Sequence, residues 1–265
     1  MKAEATRDDA MVVAGSRRLR DGGVVFAGVG APLLASILAQ QLHAPGLTIV
    51  LEGGYIGPRM LPGKLPISTN EMRACRRASV LTGIVDVFLY AQRGRYDFGF
   101  VGAAQVDRFG NVNTSFIGDV RDPQVRLPGS GGANDIVSLC REVFVITKHE
   151  RRRFVDRVDF VTSPGYLDGG TAREDAGLTQ GRPVAVITDL AVLGFDPGSK
   201  RMRLEAVQPG VTVDEVEENT GFDLVVPGSV PTVEAPTAEE LAALERLRSG
   251  EQPATAAVGN EVAPG

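Results

Sequence analysis

Short apolar runs alternate with stretches of helical periodicity through most of this chain. The first run, Val24-Val25-Phe26-Ala27, stops at Gly28. Leu33, Leu34, Ile37, Leu38 and Leu42 then recur at the spacing of one helix face, which predicts an amphipathic helix from about Pro32 to Leu42. Pro32 falls in its first turn, where a missing N–H costs nothing. Leu47-Thr48-Ile49-Val50-Leu51 predicts the next strand. Phe98-Gly99-Phe100-Val101, Val143-Phe144-Val145-Ile146, Val158-Asp159-Phe160-Val161 and Val184-Ala185-Val186-Ile187 predict further ones. Their apolar, largely β-branched composition suits central strands buried on both faces of a parallel sheet. Strand, helix, strand order predicts an α/β fold: a mainly parallel open sheet with helices on both faces.

Further on, Asp196-Pro197-Gly198 separates Val192–Phe195 from Met202–Leu204 and predicts a turn between antiparallel strands. Thr212-Val213-Asp214-Glu215 has the form of a capping box, and Gly221 is placed to close that short helix. Ala238 to Arg248 predicts a last helix, and the Ala/Pro/Gly-rich stretch from Gln252 to Gly265 a mobile tail. With no internal repeat or linker before about residue 230, the expected organisation is one domain over 1–230, then a C-terminal helix and tail over 231–265.

The net charge of −5 argues against nucleic acid as a principal partner, which requires a basic face. Lys148-His149-Glu150-Arg151-Arg152-Arg153 is the local exception. It reads as a solvated turn, or alternatively as a patch facing an anionic cofactor or an acidic partner subunit. Cys75 and Cys140 lack metal or disulfide spacing and are expected to be reduced and buried. No run of about 18 apolar residues predicts a membrane span. Arg7, Asp8 and Asp9 stand where a secretory signal needs an apolar segment, so the expected location is the cytoplasm.

Glu52 is the outstanding chemical feature: a carboxylate at the tip of an apolar strand, followed by Gly53-Gly54. Backbone stripped of side chains beside a carboxylate suits nucleophilic work on a bulky substrate. Three glycine-rich segments accompany it. Gly28-Val29-Gly30 opens a helix with free N–H groups able to meet an anion, or is simply a tight turn; Leu33 replaces the third glycine of a dinucleotide fingerprint. Gly129-Ser130-Gly131-Gly132-Ala133-Asn134 leads into the apolar segment at Ile136, and successive glycine amides there can converge on one oxygen as an oxyanion hole; the alternative is a surface loop, with Asn134 as a helix cap. Gly102 to Asn113 runs from a strand into polar residues, where Asn111 and Asn113 bind either backbone or ligand. His43 and His149 have no metal-ligand partners at useful spacing, and neither a serine-hydrolase elbow nor a phosphate-binding loop is present.

At these residues the chain resembles the β subunits of class I CoA-transferases, of the glutaconate CoA-transferase type. The resemblance runs from about Gly22 to Asp223. It is carried by Gly102–Asp119, Gly129–Asn134, His149-Glu150-Arg151-Arg152, Val161-Thr162-Ser163-Pro164-Gly165 and Glu218-Asn219-Thr220-Gly221-Phe222-Asp223-Leu224. It implies the family's NagB/RpiA-like fold, with Glu52 at the catalytic position of a Glu-Ser-Gly motif in which this chain has Gly53 for serine. It further implies an oxyanion hole at Gly131 and Gly132. Gly28, Gly30, Gln105, Asn111, Asn113, Gly129, Ala133 and Asn134 are the candidate substrate- and CoA-binding positions. Coenzyme A enters as a substrate, with no resident cofactor or metal, and the implied partner is a separate α subunit. The implied reaction moves CoA from an acyl-CoA, dicarboxylic and glutaconate-like, to an acid such as acetate through a glutamyl-CoA thioester. The alternatives are a CoA-thioester decarboxylase or hydrolase on the same scaffold, and a ligand-sensing domain of related sugar-phosphate-binding fold. The last requires a DNA-binding segment for which the N-terminal 20 residues are too short. Tyr55, Phe116 and Tyr166 either touch substrate or pack.

Overall fold

A computed structural model describes residues 5–250. In chain order the elements are α1 (Arg7–Ser16), β1 (Val24–Phe26), α2 (Ala31–Leu42), β2 (Thr48–Leu51), β3 (Tyr55–Ile56), β4 (Val80–Leu81), α3 (Ile84–Gln92) and β5 (Phe98–Val101). Then follow β6 (Gln105–Val106), β7 (Val112–Asn113), β8 (Phe116–Gly118), β9 (Pro123–Arg126), α4 (Ala133–Leu139), β10 (Glu142–Ile146), α5 (Ala172–Asp175) and β11 (Arg182–Ile187). The chain continues through β12 (Ala191–Phe195), β13 (Met202–Val207), α6 (Val213–Glu218) and α7 (Ala238–Ser249).

Nine strands form one sheet in the order β13-β12-β11-β10-β5-β1-β2-β3-β4, and β6–β7 and β8–β9 form two small hairpins. The five central strands, β11 to β2, are parallel, while the pairs added at each edge are antiparallel. Alternate residues of β10 serve two cores. Phe144 and Ile146 face the layer of α1, α2 and α7; Val143 and Val145 face α3 and α4. Helices therefore cover both faces, which is why the central strands are apolar on both sides. Gly99 sets the distance of α4 from β5, because a Cβ there would lie 2.5 Å from Ile136 Cγ2. In α7, Ala243, Leu244 and Leu247 are buried against the α2 layer, Thr237 and Glu240 form a capping box, and Gly250 ends the helix in the left-handed conformation. The tail expected over Gln252–Gly265 lies outside the described residues. No helix among the described residues is long and apolar enough to cross a membrane.

Several local expectations are corrected. Val158–Val161 is not a strand: Phe160 and Val161 are exposed, and the Asp159 carboxylate accepts from the Gly118 amide and the Gln105 side chain, holding the segment as a bend. Thr212 caps α6 by accepting from the Glu215 amide, but the Glu215 carboxylate reaches away to Arg7, so the reciprocal half of the box is missing. Gly221 does not close α6, which ends at Asn219; its amide donates to the Phe154 carbonyl, and a Cβ would strike that oxygen.

The basic run does form a turn at 151–153 with Arg151 and Arg152 exposed, as expected, but its first half is not solvated. His149 is buried at 4% exposure, stacked 4.0 Å from the Phe154 ring and held between the Thr188 and Thr220 hydroxyls. Arg151 and Arg153 donate to the Thr220 and Ala103 carbonyls, and Lys148 pairs with Asp8 and Asp189. Cys140 is buried, and Cys75 is half-buried.

Candidate active site

The chain leaves β1 for β2 on one side and returns to β5 on the other, so the carboxyl ends of these three strands meet at a topological switch point. In open parallel sheets such a point leaves a crevice in which ligands bind. Here the crevice is a cavity of about 320 Å³. Phe26, Ala27 and Gly28 line it from β1, Glu52 from β2, and Phe100, Val101 and Gly102 from β5. The Ala27 amide donates to the Val50 carbonyl at 3.1 Å, which keeps the ends of β1 and β2 side by side.

Glu52 is half-buried, and its carboxylate accepts no hydrogen bond from any described residue. Burial raises its pKa above the ordinary carboxylate range, and the nearby Asp135 charge adds to the rise. A carboxylate that is desolvated, unpartnered and more basic than usual is primed as a nucleophile. No structural role in the fold accounts for it.

Opposite Glu52 runs the loop from Gly129 to Gly132 that starts α4. The Ala133 amide donates to the Ser130 carbonyl and the Asn134 amide to Ser130 Oγ. The amides of Gly131 and Gly132 donate to no acceptor among the described residues. Gly132 lies so close that a Cβ there would be 3.5 Å from the Glu52 carboxyl carbon and 2.7 Å from Phe88 Cζ. Gly131 has φ +47° and Gly129 φ +94°, conformations that side-chain-bearing residues rarely adopt.

Of the sequence-derived positions, the fold brings together Glu52, Gly28, Gly129, Gly131, Gly132 and Ala133 around this one cavity. Gly30 stands just behind it as the N-cap of α2, and Asn134 is exposed beside it, accepting from Ser138 rather than capping α4. Gln105, Asn111 and Asn113 are elsewhere. Asn111 donates to Asp107 and the Leu167 carbonyl and accepts from the Gly165 and Leu167 amides. Asn113 and Gln105 bond each other, and Asn113 also ties Phe116, Ser115 and Thr162. Their polar atoms are spent on the loops they hold. Tyr55, Phe116 and Tyr166 are packing residues: Tyr55 donates to the Asn70 carbonyl, Phe116 lies 5.1 Å from Phe160, and Tyr166 donates to the Pro183 carbonyl.

Gly53 and Gly54 do not leave open space for substrate. A Cβ on Gly53 would lie 2.5 Å from the Thr69 carbonyl, and one on Gly54 would overlap the Thr82 carbonyl. The open positions lining the cavity are Gly28, Gly102, Gly129 and Gly131, where an added Cβ meets nothing within 4 Å. Thr69, Phe88 and Asp135 join the site without having been foreseen from sequence. An acid in a helix's first turn is an ordinary dipole partner, so Asp135 carries no signal of its own.

The coenzyme A transferase family model matches residues 9–219. The chain belongs to this family. Within it, this CoA-transferase chain is of the class I β-subunit type. It is 42% identical over 250 residues to the β subunit of 3-oxoadipate CoA-transferase from Pseudomonas knackmussii, covering 94% of this chain and 95% of that one. It is 36% identical over 237 residues to the β subunit of glutaconate CoA-transferase from Acidaminococcus fermentans, covering 87% and 88%. The crystal structure of the Acidaminococcus fermentans enzyme superimposes with a TM-score of 0.88 at 32% identity, covering 94% of this chain and 97% of that one. The decarboxylase AibA/AibB also matches, with a TM-score of 0.78 at 29% identity over 91% and 94%.

Proposed function

We propose that this CoA-transferase chain is the β subunit of a heteromeric enzyme that moves CoA between a dicarboxylic acyl-CoA and a carboxylic acid, with Glu52 as the nucleophile. The observation that carries the reading is Glu52 itself: an unpartnered, half-buried carboxylate of raised pKa at the switch-point cavity, which it shares with two glycines whose amides donate to no acceptor among the described residues. Both relatives named above act, by their names, on dicarboxylic acids, 3-oxoadipate and glutaconate, and each is named as one subunit of its enzyme. A separate α subunit completes the site.

The reaction runs in two symmetric halves. The Glu52 carboxylate attacks the thioester carbonyl, and the C–S bond breaks to give a mixed anhydride and CoA thiolate. The thiolate attacks the glutamyl carbonyl of that anhydride; the donor carboxylate leaves and a glutamyl-CoA thioester remains. The acceptor carboxylate attacks that thioester and repeats the two steps in reverse, restoring Glu52. In each step negative charge develops on a carbonyl oxygen. The Gly131 and Gly132 amides are the donors in reach of it, and loss of one such donor costs about 100- to 1000-fold in rate. Binding of the non-reacting part of CoA offsets the weakness of a carboxylate nucleophile.

The likeness to a decarboxylase supports a second reading, decarboxylation of a CoA thioester on this scaffold. The two separate by trapping. The assembled enzyme, incubated with acyl-CoA and then hydroxylamine, yields a hydroxamate at Glu52 if CoA is transferred. A turning-over complex with no label at Glu52 establishes the second reading.

A further inference from the structure

We propose that the outer face of α3 together with the free edge of β4 is the surface on which the α subunit docks. This rests on the β-subunit reading given above.

The helix itself is the first observation. α3 is apolar around nearly its whole circumference: Val87 and Ala91 are buried against the core, while Ile84, Val85, Leu89 and Tyr90 point outward, Val85 at 67% exposure. Asp86, exposed in the first turn, is its one charged side chain. A helix otherwise apolar on every side belongs in an interior, and this one has protein on one side only. The second observation is the neighbouring sheet edge. β4 pairs with β3 alone, and Leu81 is 63% exposed. At the opposite edge, β13 is covered by bridges to Val225 and Thr232. An uncovered apolar edge invites pairing with another chain, so covering only one of the two edges leaves the other for a partner.

This face is continuous with the catalytic cavity. Phe88, on the same helix, lies against Gly132 and 5.8 Å from the Phe26 ring. A chain seated on α3 therefore stands one side chain away from Glu52, where a second subunit must stand to complete the site.

Charge selects the occupant. Arg59, Arg76 and Arg77 flank the approach to β4, and Arg93 and Arg95 follow α3. All five are exposed and pair with no carboxylate among the described residues, in a chain whose net charge is −5. A second copy docking through the same face in a two-fold contact would set this arginine rim against itself, and like charges across an interface oppose association. The fitting partner is a different chain whose apolar patch is rimmed by carboxylates. A stable interface buries about 800 Å² per partner, so the rim contributes as well as the apolar centre.

The test is co-expression with an affinity-tagged α subunit. Val85→Asp/Leu89→Asp should lower affinity for α more than 100-fold while leaving the melting temperature of the isolated β chain unchanged, since both side chains face outward. Val120→Asp/Val226→Asp, at exposed apolar positions elsewhere, should co-purify normally. Arg76→Glu/Arg77→Glu should slow association and flatten its salt dependence. Co-purification of Val85→Asp/Leu89→Asp in parental proportion overturns the proposal. So does a homodimer of the β chain that the same double variant dissolves, because the occupant is then a second copy. The surface and the catalytic reading fail separately: an assembled Glu52→Ala complex that still turns over sinks the chemistry and leaves the surface intact, whereas an active, assembled Val85→Asp/Leu89→Asp complex does the reverse.

Discussion

Replacing Gly132 by alanine probes the site without touching a charge. The new methyl carbon would lie 2.7 Å from Phe88 Cζ and 3.1 Å from Cε1, against a normal carbon–carbon contact of about 3.5–4.0 Å. One side must therefore retreat by about 1 Å. Phe88 has little room, because Phe26 is packed behind it with ring centroids 5.8 Å apart. If the start of α4 retreats instead, the Gly131 and Gly132 amides move from about 3 Å to about 4 Å from the developing oxyanion, beyond hydrogen-bond reach. The overpacking should cost about 1–3 kcal/mol of stability, and the displaced donors about 100- to 1000-fold in kcat. Steady-state kinetics of the assembled enzyme, paired with thermal melts, separate the two effects. Gly132→Ala/Phe88→Leu should recover most of the rate, since the smaller side chain frees the space. Full kcat in the single variant with a lowered Tm would refute the reasoning, showing that the ring yields and the amides stay. Failure of the double variant to recover would refute the assigned clash.

Three further outcomes are expected. Asp135→Asn removes the like charge beside Glu52, so the pKa of Glu52 falls and the acidic limb of the kcat/KM profile moves to lower pH; an unmoved limb contradicts the coupling. Arg173, at 1% exposure, donates to the carbonyls of Val137, Pro164, Gly165 and Gly181. Arg173→Met orphans these acceptors and should cost on the order of 4 kcal/mol in denaturant unfolding, whereas a loss under about 1 kcal/mol would show that water replaces the guanidinium. His149 has its pKa pushed down to about 4 by burial. The unfolded chain therefore binds the extra proton first, and stability is lost as pH falls from about 6.5 to about 4, by roughly 3 kcal/mol. His149→Gln should flatten that loss, and an equally steep acid limb in the variant rules out His149 as its source.

The parts of the site that were legible in the sequence are those where an apolar run breaks abruptly at glycine. Phe26-Ala27-Gly28 and Val50-Leu51-Glu52 mark two strand ends, and in a parallel sheet such ends gather on one side. Gly129–Gly132 was legible because consecutive glycines carry little other structural meaning before a helix. What stayed hidden was hidden for physical reasons. In α1 every residue from Asp9 to Ser16 is buried, so no polar face gives the helix a period. α3 lacks a period because its outward face is apolar too. The basic run read as solvated because charge usually is, which holds for Arg152, yet Arg151 and Arg153 donate to backbone carbonyls and His149 is sealed between two threonines. Asn111 and Asn113 fell near the family's dense motifs, but only the folded loops reveal that their amides hold the chain rather than a ligand. Phe88 and Thr69 come to the cavity through topology alone, from segments outside the strand ends and glycine runs that mark it.

The most direct measurement is the intact mass of the β chain after the assembled enzyme meets acyl-CoA without an acceptor. The account predicts an adduct equal to CoA less one water, mapped by proteolysis to Glu52, absent in Glu52→Gln and discharged by an acceptor carboxylate. Turnover at the parental rate by the Glu52→Gln complex, or the same adduct on another residue, would contradict it.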